Sequence, residues 1–292
     1  MASRVQGLDT IISQEEWSDA LQEQLDEPSK WKDFCNVIFT DEDTVNNPYH
    51  TDPAASAYNR GTPYSYATMT QTNESITLAQ DFVVPLPIDE VTLAQSRYAD
   101  AMQWAKRIGV VLDERIETSI YQDHAEWTDF TNATLGGAAG SITFASTNVD
   151  DFLRILRREI NQANGQRLLD RNAGFVVWKP ADFVQLEAFM QANGFSLADK
   201  FLKEGASSFG GVFYGGFFHY TSNLLPSGRC LAGVRKAIYV YIHRAAYGKV
   251  KIIEHDPNNQ AGIALRGRVL FEPTVWNNLV PVVFDVATVA TD

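Results

Sequence analysis

Five histidines, two cysteines and thirty-six acidic residues are the groups from which this chain could build chemistry. His50, His124, His219, His243 and His255 fall in no H-E-x-x-H or H-x-H spacing, so metal ligation has little support. His219 and Ser222 stand three apart, as a base and a nucleophile could. No orienting acid or G-x-S-x-G elbow accompanies them, and a chance pair is the simpler reading. Gly210, Gly211, Gly215 and Gly216 lack the Lys-Ser/Thr that a phosphate cradle requires, so they read as residues of turns and close packing. The many carboxylates single out no pair of the kind glycoside hydrolysis uses. Cys35 and Cys230 are far apart and in no metal-like spacing, which predicts two reduced, partly buried thiols. No cofactor, metal or catalytic residue is expected.

Charge narrows the partners. The net charge of −12 is unevenly placed, because residues 1–52 hold three basic residues against twelve acidic ones while the other 240 are nearly balanced. A body without a basic stripe argues against sequence-specific nucleic-acid binding, which needs clustered Lys and Arg. The densest basic group, Arg154, Arg157 and Arg158, shares its segment with Asp150, Asp151 and Glu159 and reads as a self-paired helix face. No apolar run is long enough to cross a bilayer, and the first seven residues lack the apolar core of a signal peptide. With 45% apolar and 21% charged residues over 292 positions, the chain can bury a core as one large domain or two small ones.

The elements that would position any of these groups begin with a capping box at Ser13-Gln14-Glu15-Glu16. Trp17, Leu21 and Leu25 follow at four-residue spacing, which predicts an amphipathic helix from Ser13 to Asp26, stopped before Pro28. A lone helix of that length is marginal in water, so its stripe is expected to dock elsewhere, as an arm. Trp31 to Phe39 reads as a strand, and Asn46-Asn47-Pro48 as part of a loop. From Tyr64 to Thr72, Tyr and Thr alternate with small or polar residues; after a turn near Asn73-Glu74 the run Ile76, Leu78 and Phe82 to Val84 returns. This predicts a β-hairpin too polar to form a core of its own. Pro85 and Pro87 are expected to end the strand and Asp89 to cap a helix running to about His124, roughly 54 Å at 1.5 Å per residue. Its apolar steps include Val91, Tyr98, Ala105, Ile108, Leu112, Ile116 and Ile120.

Beyond it the chain alternates compactly. A helix capped by Asn148 ends at Gly165, a strand runs from Phe175 to Trp178, and Pro180 opens a helix that stops at Asn193. Strands follow at 237–242 and 250–254, and two extended runs, 263–271 and 279–289, close the chain.

In this order the elements resemble the major capsid proteins of tailed bacteriophages, the Hong Kong ninety-seven capsid fold. The resemblance covers nearly the whole chain. It rests on Ala105-Lys106-Arg107-Ile108-Gly109-Val110-Val111-Leu112-Asp113, on Val176-Val177-Trp178-Lys179-Pro180-Ala181-Asp182-Phe183, and on Gly215 to Pro226 with its Ser-Asn-Leu-Leu-Pro. It implies an α+β fold: an arm at 1–47, an extended hairpin loop at 48–87, and a peripheral domain with a spine helix at 88–127. A compact α/β axial domain at 128–260 and closing strands of the peripheral domain at 261–292 complete it.

The implied function is structural: hexamers and pentamers of this chain forming an icosahedral virion shell around double-stranded DNA, assembled in the host cytoplasm. DNA would be touched without sequence preference, since the chain's own field repels phosphate. A portal, and a separate scaffolding protein or none, are the implied partners. Self-assembly contacts are expected at Trp17, Leu21, Leu25, Tyr64, Tyr66, Met69, Ile76 and Leu78, with arm and hairpin reaching adjacent subunits. Some relatives lock their shells through a hairpin Lys, but no Lys stands between Lys32 and Lys106, so that bond should be absent here. An encapsulin-type nanocompartment shell and an α/β hydrolase-like or carbohydrate-processing enzyme are the alternatives.

Overall fold

The computed structural model describes residues 29–50, 52–55, 57, 59–61, 63, 66, 69–89, 101–131, 135, 140–193, 212–247, 250–253 and 262–289. The arm helix expected at Ser13 to Asp26 lies outside them, as does Tyr64.

The first described element is one turn of helix, α1 (Trp31–Phe34), and not the start of a strand. Trp31 and Phe34 are both fully buried. A spacing of three puts them on one face of a helix but on opposite faces of a strand, so only the helix buries both. Phe34 stacks on Phe175 at 4.7 Å and lies 5.8 Å from Tyr220, while strand β1 (Asn36–Thr40) departs into a different sheet. This short segment therefore joins the two main sheets.

The hairpin pairs β2 (Thr44–His50) with β3 (Gln71–Thr77), from Thr44 opposite Thr77 to His50 opposite Gln71. The expected loop at Asn46-Asn47-Pro48 is thus a strand, and the expected turn at Asn73-Glu74 is the middle of its partner. Pro48 is accommodated because this sheet has two strands, leaving each an open edge. Strand β4 (Gln80–Asp89) runs through Pro85 and Pro87, which face Arg266 and Ala264. They are two residues apart, so their missing N–H groups fall on one side, which is free along an edge strand. Asp89 is the last residue of this strand, and its expected role as the cap of the long helix turns on residues 90–100, outside the described residues. The helix, α2, is described over Ala101–Gln122, 22 residues or about 33 Å; residues 90–100 lie outside the description. Its stripe Ile108, Leu112, Ile116 and Ile120 is buried as the periodicity predicts.

Beyond α2, β5 (Thr128–Asp129) precedes α3 (Val149–Gln162), α4 (Gln166–Asn172), β6 (Gly174–Trp178) and α5 (Pro180–Ala192). Asn148 holds the N-cap position of α3, but its amide turns back to Ala145 N and Thr143 O instead of capping. A hairpin of β7 (Val212–Tyr214) and β8 (Phe217–Thr221) turns through Gly215 and Gly216, whose φ of 61° and 94° suit a two-residue turn. Then come β9 (Arg229–Val234), β10 (Tyr239–His243), β11 (Val250–Ile253), β12 (Gly262–Thr274) and β13 (Val283–Ala287).

Six strands, in the order β5-β13-β9-β6-β8-β7, form one sheet whose central strand β6 is buried along its whole length. The other main sheet is organised by β12, with β4 along one edge and β11, then β10, along the other; β1 pairs parallel to β10. The expected break between 260 and 261 falls inside this sheet. The two closing runs part company, β12 in one sheet and β13 in the other. A continuous apolar core spans both sheets and α2. The helix sits directly on β12, where a Cβ at Gly267 would lie 2.2 Å from Ile108 Cγ2.

Candidate assembly surfaces

The groups that could have been catalytic are structural. His219 and Ser222 are both fully buried. His219 Nδ1 accepts from the Trp178 indole N–H at 3.0 Å, and its Nε2 lies 3.2 Å from the Tyr214 carbonyl, to which that nitrogen's proton is donated. Burial pushes the imidazole down to about 4, so it stays neutral. Ser222 Oγ accepts from Leu224 N at 3.2 Å. Cys35 and Cys230 are free and fully buried, with burial raising both thiols. Arg154 pairs with Asp150 and Asp151, and Arg158 with Glu159, as a self-paired helix face. Among the described residues, no group of three or more His, Cys, Asp or Glu is placed to hold a metal ion.

What the fold does organise is the departure of the N-terminal segment. Lys30 N donates to Glu117 Oε2 at 3.1 Å, and Lys30 Nζ to the Thr221 carbonyl at 2.7 Å. Glu117, buried on α2, also accepts from Tyr121 Oη at 2.6 Å. One turn earlier on the helix, Asp113 accepts from Lys32 at 2.6 Å and from Tyr247 Oη at 3.2 Å, and Ser29 Oγ lies 3.5 Å from it. The start of the described chain is thereby fixed against α2. The sequence signal for Glu117 is a carboxylate directly beside Ile116 of the helix's apolar stripe.

The hairpin is anchored on the chain that carries it. Leu78 is buried with Tyr241 and Trp276, and Ile76 and Val45 pack against that cluster. Leu78 therefore offers no free surface to a neighbour, a correction to its expected role. Its position at the hairpin's root, where Leu78 N donates to Asp43 O, explains the difference. Glu272 accepts from Ala79 N at 3.1 Å and Glu74 from Asn277 N at 3.3 Å, tying the root to β12 and its continuation. Toward the far end the surface opens: Tyr66 is 86% and Met69 56% exposed. Trp17, Leu21 and Leu25 lie outside the described residues.

A second apolar surface was not foreseen. An open groove of about 330 Å³ runs between β4 and α2, lined by Phe82, Val83, Val84, Val111, Leu112 and Leu224 together with the polar Glu114, Arg115 and Thr118. Val83 and Val111 are 45% and 38% exposed at its edge, and the Arg115 guanidinium lies 4.3 Å from the Phe82 ring centroid. The extra apolar residue Val111, one step off the buried stripe, was the sequence signal.

No protein-family model matches the chain, and no curated protein matches its sequence. Solved structures do. The chain is similar to a protein of Mycobacterium phage Che8 with a TM-score of 0.72 at 16% identity, over 94% of this chain and 96% of that one. It is similar to the capsid of an empty GTA particle with a TM-score of 0.69 at 12% identity, over 99% and 100%. A virus-like particle from Pyrococcus furiosus matches with a TM-score of 0.54 at 11% identity, over 89% and 92%. The chain has the Hong Kong ninety-seven capsid fold.

Proposed function

We propose that this chain is a major capsid protein, a structural subunit that associates with many copies of itself into a closed shell. The carrying observation is the fold match along the full length, 94% of this chain against 96% of the Che8 protein. The surfaces support it. An N-terminal sequence with one apolar stripe, a hairpin anchored at its root with Tyr66 and Met69 exposed beyond it, and a largely apolar groove beside α2 are the features of a subunit completed by its neighbours.

The finer reading is of hexamers and pentamers closing an icosahedral virion shell around double-stranded DNA, which is contacted weakly and without sequence preference. It includes a portal, a separate scaffolding protein, assembly in the host cytoplasm and no catalytic step. Region by region, 1–47 acts as the arm and 48–87 as the extended loop, while the sheet of β12 with α2 makes the peripheral part and the sheet of β6 the axial part, so that 261–292 is divided between them. Tyr64, Tyr66, Met69 and the exposed side of Ile76 make the hairpin's contacts. An isopeptide lock from the hairpin is absent, since residues 33–105 contain no Lys.

The similarity to the Pyrococcus furiosus virus-like particle favours a second reading, a nanocompartment shell of encapsulin type. Sedimentation and negative-stain microscopy of the expressed protein test both. Particles of uniform diameter are expected; only low-mass species under all conditions would overturn the shell. Double-stranded DNA in particles from the native source separates the capsid from the nanocompartment.

A further inference from the structure

We propose that Arg235 and Lys236, in the turn between β9 and β10, form a strained clasp that fixes the angle between the two main sheets and can open without unfolding either of them.

The chain passes from one sheet to the other at this turn, since β9 belongs to the sheet of β6 and β10 to the sheet of β12. It also passes between them at α1, where Phe34 packs on Phe175 of β6 and Asn36 opens β1 beside β10. The two crossings run side by side, with Asn36 N donating to Ile238 O at 2.7 Å and Lys236 N to Phe34 O at 2.6 Å. A single helical turn leaves the carbonyls at its end without partners inside the helix. Two consecutive residues of the other crossing supply them, from Lys32 through Cys35. Arg235 Nε and Nη2 donate to Asp33 O at 3.2 and 2.8 Å, and Lys236 Nζ donates to Lys32 O at 3.2 Å and to Cys35 O at 2.7 Å, while Phe34 O is taken by Lys236 N. The Arg235 guanidinium also lies 4.4 Å from the Phe218 ring centroid, which holds its fork in place.

The clasp is closed against the preference of its own backbone. Lys236 has a φ of 66°, and Ala173, whose carbonyl accepts from Arg235 N at 3.1 Å, has a φ of 60° and a ψ of 168°. The first conformation suits glycine, and the second is one that almost only glycine enters. A glycine at 236 would relax the turn but could not reach Lys32 O and Cys35 O, so the amine explains why a lysine stands there. Strain sits on both sides of the hydrogen bond from Arg235 to Ala173, and opening the clasp relieves it. The apolar core beneath is continuous across both sheets, but apolar contact is non-directional and lets packed layers slide. Hydrogen bonds are directional, so the clasp fixes the angle that the core leaves free.

Amide hydrogen exchange on the full chain tests the clasp. Lys236→Met keeps the stem and the strained turn but removes the donors, and it should speed exchange of the Asn36 and Arg235 amides by about tenfold or more while the amides of β6 and β12 keep their rates. Lys236→Gly relaxes the turn and should still exchange faster than the wild type at both amides; it also replaces Lys236→Met should that variant fail to fold. Ala173→Gly keeps every donor and relieves strain, so it should slow exchange there. Spin labels at Val83→Cys on β4 and Val184→Cys on α5, both exposed positions, read the angle, with labelled chains diluted among unlabelled ones. The native Cys35 and Cys230 are buried and free and stay unlabelled. One narrow distance is expected in the wild type and in Ala173→Gly, and a shifted or broadened one in Lys236→Met. Exchange in Lys236→Gly no faster than in the wild type would show that the amine clasps nothing. Equal acceleration in β6 and β12 would mean unfolding and not opening, and an unchanged distance beside faster exchange would mean that the core sets the angle; each overturns the proposal. Both measurements read single chains and stand apart from the shell reading.

Discussion

At the scale of single residues, two titratable groups, one buried and one half-buried, act on stability in opposite directions. His219, held near 4 by burial against an ordinary 6.5, binds its proton less readily in the folded state. Its contribution is present above about pH 6.5 and is lost as pH falls toward 4. Asp123, at the C-terminal end of α2, is pushed up to about 6 from an ordinary 3.8 by burial and by the neighbouring Glu126 and Glu272. The folded state holds that proton more tightly, so its contribution is full below pH 3.8 and is lost as pH rises through 6. Asp123→Asn should therefore stabilise the unassembled subunit at about pH 8 by roughly 1–2 kcal/mol, allowing for solvent screening, and by almost nothing at about pH 4. Urea unfolding of both proteins at both pH values measures it; an equal gain at both would remove the electrostatic cause. Little of this was legible in advance. His219 stood out in the sequence beside Ser222, but only the fold shows that its two nitrogens belong to Trp178 and Tyr214.

Among the elements, the contact of α2 with β12 sets the geometry of the subunit. Gly267 lets helix and strand approach until a Cβ would meet Ile108 Cγ2 at 2.2 Å and Leu112 Cδ1 at 3.1 Å. Gly267→Ala should cost about 1–3 kcal/mol by overpacking. Combined with Ile108→Ala, which opens a cavity at the same point, the loss should be well below the sum of the single losses. Denaturant unfolding of the four proteins gives the coupling, and strict additivity would mean that the two residues do not share the contact. An isolated glycine in the run 263–271 was a signal of close approach. The spine helix itself was readable because Ile108, Leu112, Ile116 and Ile120 repeat at the helical period over three turns. The hairpin was misplaced because its strands are exposed on alternate positions and polar on both faces, so the Tyr/Thr alternation at 64–72 outweighed the Asn-rich β2. Pro85 and Pro87 misled for a related reason: an edge strand tolerates what a central one cannot. The pairing of β1 with β10, two hundred residues on, leaves no local mark at all.

On the scale of the whole molecule, the arm and its root do separable things, and two truncations can tell them apart. Removing residues 1 to 30 would take both away. The structure moves the cut, because Lys30 closes the hydrogen bonds of the buried Glu117 and of Thr221 within its own chain. A chain starting at Ser29 keeps these bonds and loses only the stripe of Trp17, Leu21 and Leu25. It should unfold like the intact subunit yet sediment as small species where the intact chain sediments as particles. Fully burying an apolar side chain is worth about 1.5–3 kcal/mol, and ordering the arm takes back a large part. The remainder is modest for one contact but recurs at every subunit of a shell. A chain starting at Trp31 should also lose stability as a monomer, by about 1–3 kcal/mol, because Glu117 is left buried with one fewer partner. Normal particles from the chain starting at Ser29 would show that the arm is dispensable. Equal monomer stability of the two truncations would show that Lys30 does not moor the root.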